Sequence, residues 1–325
     1  MTGEVRRRSA GRRFALVIRG LIALLLVLVV TIYVWPLGTS QLQAAPAREF
    51  GFPTAANQAE EAVKADTENP SVRPECRSAL LSHGRRSAKA VVLLHGYTAC
   101  PSQFTQLARL YFRMGYNVWV PRAPDHGLLD TSAHARVRAT QLVTYANDAM
   151  NVADGLGDEV GVVGISGGAV LATWLAAHRP DAVQRILLLS PFYVPSRGRA
   201  PSAAVKPLIV LYGFRILPDH VDGHGFSFAA LSQYLRIARS NSEIKSSNGR
   251  LKSVAVVTSA NDNYIDRDRA VDVARHLADT NHLTLADHEL PAALGIGHDI
   301  VDPPDIKGHV EELDNLYFRL YEGTR

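Results

Sequence analysis

Cysteine is nearly absent from this chain of 325 residues: Cys76 and Cys100 are the only two. At most one disulfide can therefore form, which excludes a multi-bridge secreted scaffold. No internal repeat or low-complexity tract occurs, so a repeat architecture is excluded as well. Positive charge is scarce where a nucleic-acid partner would need it. The net charge of +4 and the pI near 9.1 trace to Arg6, Arg7, Arg8, Arg12, Arg13 and Arg19, all within the first twenty residues. The rest of the chain is near neutral and carries no nucleic-acid footprint. An apolar share of 47% is ordinary for a globular protein and argues against disorder. The length suits one large α/β domain or two small ones.

One long hydrophobic run is present. Leu21 to Trp35 is apolar apart from Thr31, and Phe14 to Ile18 extends it upstream across Arg19. Residues 14–37 are long enough to span ~30 Å of hydrocarbon if Arg19 snorkels toward the interface. The basic tail, residues 1–13, is expected to stay cytoplasmic, which puts everything after Pro36 on the extracytoplasmic side. Ala45-Pro46-Ala47 offers an imperfect cleavage site, so the segment reads as an uncleaved single-pass anchor or as a signal peptide whose removal leaves a secreted or periplasmic protein. Residues 38–84, rich in Ala, Gln, Glu, Pro and Ser with little apolar periodicity, read as a stalk or loosely packed lead-in.

From residue 85 strand-like and helix-like stretches alternate, the pattern of a mostly parallel sheet with helices on both faces. Strands are expected at 88–94, 117–120, 159–164, 184–189, 253–258 and 283–289. Helices are expected near 101–114, 135–155, 168–178, 267–279 and 306–322. The interval 191–250 is too long for a plain crossover. Its two apolar helical patches, 203–217 and 226–238, read as a cap over the crevice at the carboxyl edge of the sheet.

The most informative motif is Gly164-Ile165-Ser166-Gly167-Gly168, which joins an apolar strand to a helix of small residues. A serine at such a turn sits in strained backbone with its hydroxyl exposed, and the flanking glycines remove side chains that would collide. Ser166 is the candidate nucleophile. A serine nucleophile needs a base, an acid that orients the base, and N–H donors for an oxyanion. Asp262 follows the strand at 253–258 and His298 follows the last strand in Gly-Ile-Gly-His-Asp. Asp266 is the rival acid, His288 lies within the last strand, and His126 reads as structural. The strand ending in Leu94-His95-Gly96-Tyr97 suggests the Tyr97 and Gly167 N–H groups as oxyanion donors, with His95 a positioning residue. Cys100 follows that loop closely. In an oxidising compartment a Cys76–Cys100 disulfide would brace this edge, and two unpaired thiols are the alternative.

Taken in order, Leu-Leu-His-Gly-Tyr-Thr, Pro-Arg-Ala-Pro-Asp-His-Gly, Gly-Ile-Ser-Gly-Gly, Asn-Asp-Asn-Tyr-Ile-Asp and Gly-His-Asp make residues 85–325 resemble the α/β-hydrolase superfamily. The likeness is greatest to its monoacylglycerol lipase, carboxylesterase and serine-aminopeptidase-like branch. The resemblance implies a Ser166, Asp262, His298 triad, oxyanion donors from Tyr97 and Gly167, and no metal or organic cofactor. It departs from that branch at Asp125, where glycine usually precedes His-Gly, and at Gly168, which would widen the entrance slightly. The activity implied is a serine hydrolase acting on a small-molecule ester or lipid through an acyl-enzyme, with lipid-like or medium-chain acyl groups. Peptidase, amidase or acyltransferase chemistry would use the same residues, and a non-catalytic envelope binding protein is the reading from a different class.

Overall fold

The computed structural model describes residues 2–223, 225–241 and 247–324. Residues 224 and 242–246 of the expected cap lie outside them, as do the side chains of the basic tail.

The central strands form where apolar residues run without interruption. β2 (Ser87–Leu94), β4 (Gly157–Ile165), β5 (Val183–Leu189) and β6 (Ser253–Ser259) are buried along most of their length, as strands covered on both faces must be. With β1 (Ala79–Leu81), β3 (Tyr116–Val120) and β7 (Leu285–Leu290) they give, among the described residues, a seven-stranded sheet in the order β1-β3-β2-β4-β5-β6-β7. β1 runs antiparallel to β3, and the remaining neighbours are parallel. Successive side chains point to opposite faces. Val92, Leu94 and Val162 enter one core with α4 (Ala139–Leu156), α5 (Gly167–His178) and α8 (Arg267–Thr280). Val91, Leu93 and Val163 enter the other with α3 (Thr105–Arg113) and α9 (Val310–Glu322). The fold is the α/β-hydrolase fold.

Helix α1 (Thr2–Val34) precedes this domain and contains the apolar run, a helix long and apolar enough to cross a membrane by length and composition. The lead-in that follows differs from a stalk. Leu42 is fully buried, and its carbonyl accepts the Trp174 Nε1–H at 2.7 Å. The Asn147 amide donates to the Pro46 carbonyl at 3.0 Å. Helix α2 (Phe52–Glu68) then lies along α4 with Ala55 and Ala59 buried. A β-carbon at Gly155 would come within 2.5 Å of the Ala55 β-carbon, so the two helices touch only because that position is glycine. These contacts are made by alanines and backbone carbonyls, which leave no apolar stripe in the sequence. β1 lies in the same lead-in and joins the sheet edge.

Between β5 and β6 stand α6 (Ser202–Leu208), a single π-helical turn at Ile209–Gly213 and α7 (Phe228–Asn241). α7 packs on α5 with Tyr234 and Ile237 in the main core. The cap thereby sits over the carboxyl ends of the central strands.

Candidate active site

β4 delivers its last residue, Ile165, into a turn whose next residue cannot relax. Ser166 has φ 53° and ψ −114°, in the left-handed half of φ space where a side chain is strained. The turn is held from several sides. The Ser166 N–H donates to the Leu189 carbonyl at 2.9 Å, and the Ser166 carbonyl accepts from Ala169 and Phe192 at 3.2 Å each. A β-carbon at Gly164 would lie 2.3 Å from the Gly168 carbonyl oxygen, and one at Gly168 would lie 2.0 Å from the Leu94 carbonyl oxygen. Gly168 therefore faces the end of β2 rather than the pocket. Its small size lets helix and strand close, and the widened entrance expected from it is absent.

The structure brings Ser166, His298 and Asp262 together. His298, in the loop after β7, has Nδ1 2.7 Å from Asp262 Oδ2 and Nε2 2.8 Å from Ser166 Oγ. Asp262 can only accept, so its partner Nδ1 carries the proton and Nε2 is left to accept from the serine hydroxyl. The Tyr264 N–H donates to Asp262 Oδ1 at 2.8 Å, so both carboxylate oxygens are engaged. Ser166 is 8% and Asp262 7% exposed. Asp266 goes elsewhere: it is the N-cap of α8, its carboxylate accepting the Arg269 N–H at 3.0 Å. His288 stays on β7, away from this cluster.

The loop after β2 closes the other side. Gly167 opens α5, so its N–H is a first-turn donor with no intrahelical acceptor. A β-carbon there would lie 3.1 Å from the Tyr97 β-carbon, and one at Gly96 would lie 3.7 Å from the Ser166 β-carbon. Tyr97 and Gly167 thus flank the serine. The Tyr97 hydroxyl donates to the Ser227 carbonyl of the cap at 2.7 Å. His95 Nε2 accepts the Ala123 N–H at 3.0 Å while Nδ1 donates to the Gly96 carbonyl at 2.9 Å. Burial, with His126 close by, lowers its pKa to about 3, so the ring stays neutral and serves to hold two loops. Burial likewise lowers His126 to about 4; its Nδ1 donates to the Pro124 carbonyl at 2.7 Å. Asp125 has φ 60°, the conformation that favours glycine and that aspartate tolerates better than most. That accounts for the substitution at this turn.

Cys76 and Cys100 are joined by a disulfide with a Cα–Cα distance of 5.1 Å. The bridge links the turn before β1 to the end of the Tyr97 loop.

Two features had no local signal. Gln103 is 2% exposed, accepts the Gly96 N–H at 2.9 Å and donates to Asp299 Oδ1 at 3.2 Å. It ties the loop after β2 to the residue next to His298. Asp222 of the cap lines the pocket. The pocket has a volume of about 580 Å³ and is walled by the triad edge and by apolar cap residues such as Leu208, Leu211, Phe226 and Leu231. That size and lining suit a small-molecule site with a few placed polar groups.

Residues 89–215 match the family described as alpha/beta hydrolase fold. A stretch of 97 residues is 31% identical to a thermostable monoacylglycerol lipase of Bacillus sp. (strain H-257), covering 28% of this chain and 36% of that lipase. The chain thus spans about a third of the length of that relative. Among solved structures, one from work on LipS and LipT, two metagenome-derived lipolytic enzymes, aligns with TM-score 0.59 at 19% identity over 78% of this chain and 99% of the other. A monoacylglycerol lipase of Paleococcus ferrophilus aligns with TM-score 0.58 at 18% identity over 76% and 98%. These likenesses show the α/β-hydrolase fold, and the family match itself is confined to residues 89–215.

Proposed function

We propose that this protein is a membrane-anchored serine hydrolase that cleaves carboxylic esters of lipid-like or medium-chain acyl groups through an acyl-enzyme on Ser166. The observation that carries the reading is the continuous Asp262–His298–Ser166 hydrogen-bond chain opening into the apolar pocket. In this mechanism His298 Nε2 takes the Ser166 hydroxyl proton as Oγ attacks the ester carbonyl carbon. The oxyanion that forms accepts the Tyr97 and Gly167 N–H groups. Asp262 keeps Nδ1 protonated and stabilises the imidazolium. Collapse breaks the bond to the alcohol, which leaves with the proton held on Nε2. Water, deprotonated by the same nitrogen, then cleaves the acyl-enzyme and returns the serine.

The anchored state is favoured over a cleaved signal peptide by the packing of residues 42–46. Cleavage after Ala47 would remove Leu42 from the core and leave the Trp174 indole N–H without its acceptor, a buried loss of about 1–3 kcal/mol for the hydrogen bond alone. The extracytoplasmic orientation rests on the basic residues before the apolar run.

Asp222 supports a second reading. A cap carboxylate on the pocket wall is what a peptidase or amidase would use to hold a free amino group. Rates for p-nitrophenyl esters of increasing chain length, measured beside amino-acid p-nitroanilides, separate the two. Ester hydrolysis with a clear chain-length optimum, abolished in His298→Ala and kept in Asp266→Asn, is the expected result. Anilide cleavage that depends on Asp222 would assign the peptidase role instead.

A further inference from the structure

The membrane helix does not end free of the catalytic domain. The Tyr33 hydroxyl donates to the Ala203 carbonyl at 2.6 Å. The Lys206 ammonium donates to the Trp35 carbonyl at 2.6 Å, and Arg236 Nε donates to the Leu37 carbonyl at 3.1 Å. Leu37 packs into the small cap core of Val205, Ile209 and Leu235. The end of the anchor is built into α6, the same short helix whose Ala204, Pro207 and Leu208 wall the substrate pocket.

That junction sets a depth. Residues 14–34 rise ~32 Å as a helix, the thickness of the hydrocarbon core, so Tyr33 and Trp35 fall at the headgroup level where amphipathic aromatics reside. α6 is hydrogen-bonded to both and shares that level. The Trp35 ring packs edge-on against Phe214 at 6.2 Å. Just beyond Phe214, Ile216 is 51% and Leu217 42% exposed, and Val221 follows at 46%. All three follow Phe214 in the chain, between the π-helical turn and α7, and none of them lines the pocket.

We infer that the cap face carrying Ile216, Leu217 and Val221 rests on the phospholipid leaflet that α1 crosses, so that the pocket opens at the bilayer surface and takes an acyl ester already resident there. This rests on the serine-hydrolase reading and names the source of its substrate. Leaflet contact explains both features at once. It covers apolar side chains that water would otherwise face, and it gives the hydrogen bonds between anchor and cap a purpose, namely holding the pocket wall at headgroup depth.

The test uses the full chain in phosphatidylcholine/phosphatidylglycerol vesicles with two substrates, a fluorescent monoacylglycerol held in the bilayer and water-soluble p-nitrophenyl butyrate. Ile216→Asp/Leu217→Asp should slow hydrolysis of the bilayer lipid about tenfold or more while p-nitrophenyl butyrate turnover stays within about twofold of the parent. Equal rates on both substrates in variant and parent, or an equal fall on both in a variant whose Ser166 still reacts with a fluorophosphonate, would overturn the inference. A second measurement needs no turnover. Cys76 and Cys100 are bonded to each other, so Ile216→Cys supplies one reactive thiol for an NBD label. A blue-shifted emission quenched by headgroup-region nitroxide lipids is expected, and emission unchanged from that in detergent-free buffer would overturn it. A parent protein that hydrolyses neither ester and takes no fluorophosphonate, while labelled residue 216 still reports lipid, would count against the hydrolase reading and leave the leaflet contact standing.

Discussion

Arg122 holds Asp66 by two hydrogen bonds to one carboxylate oxygen, Nε at 3.0 Å and Nη2 at 2.7 Å. The other oxygen accepts the backbone N–H and hydroxyl of Ser78 at 2.8 and 2.7 Å. Arg122 also donates to the His126 carbonyl at 3.0 Å. One mostly buried ion pair therefore fastens α2 to β1's lead and to the loop that carries His126.

Removing one partner of such a pair strands the other charge. Arg122→Ala should destabilise the domain by about 3–5 kcal/mol, read as a lowered midpoint in urea at constant slope. A loss below about 1 kcal/mol would mean that the pair behaves as a surface contact and that α2 is dispensable.

Gly168 has no room for a side chain. Gly168→Ala puts a methyl carbon 2.0 Å from the Leu94 carbonyl oxygen, which is backbone and cannot swing aside. The expected cost is about 3 kcal/mol or more, with loss of Ser166 reactivity because α5 is pushed away from β2. Thermal unfolding together with active-site titration checks both effects, and a stable, fully reactive variant would refute the close-approach account.

The Cys76–Cys100 bridge closes a chain separation of 24 residues. Cys76→Ser/Cys100→Ser should lower stability by about 3 kcal/mol on the loop-entropy account. Urea titrations of the variant and of the reduced parent should agree, since both lack the same bond. An unchanged midpoint would show that the paired α2 region already restrains that loop.

Burial pushes the Asp314 carboxyl up to about 7, against about 3.9 in an unfolded chain. Between these values the unfolded chain releases a proton that the folded one keeps, so this group's contribution to stability falls as pH rises through the interval and is at its worst above it. Asp314→Asn removes the titration. The variant should match the parent near pH 4 and exceed it by on the order of 1–2 kcal/mol at pH 8. A stability difference that does not vary with pH would contradict the assigned shift.

The parts of the fold legible in the sequence are those whose physics leaves a local trace. β2, β4, β5 and β6 are covered on both faces and so read as apolar runs, and the Ser166 turn announces itself because backbone crowding on both sides admits only glycine. α2 and β1 left no such trace. α2 buries alanines against Gly155, and β1 is three half-buried residues, so neither shows a period. Asp262 and His298 could be placed because each follows a strand in a short polar loop. Gln103, Asp222 and the contacts of Tyr33 and Trp35 with Ala203 and Lys206 were not legible, since their roles come from neighbours far away in the chain.

The most direct measurement is intact-mass analysis of the full-length protein after reaction with a fluorophosphonate, followed by peptide mapping. A single adduct on Ser166, missing from Ser166→Ala and formed far more slowly in His298→Ala, is what the triad geometry predicts. A folded parent that stays unmodified, or a Ser166→Ala variant that is labelled to the same extent, would contradict it.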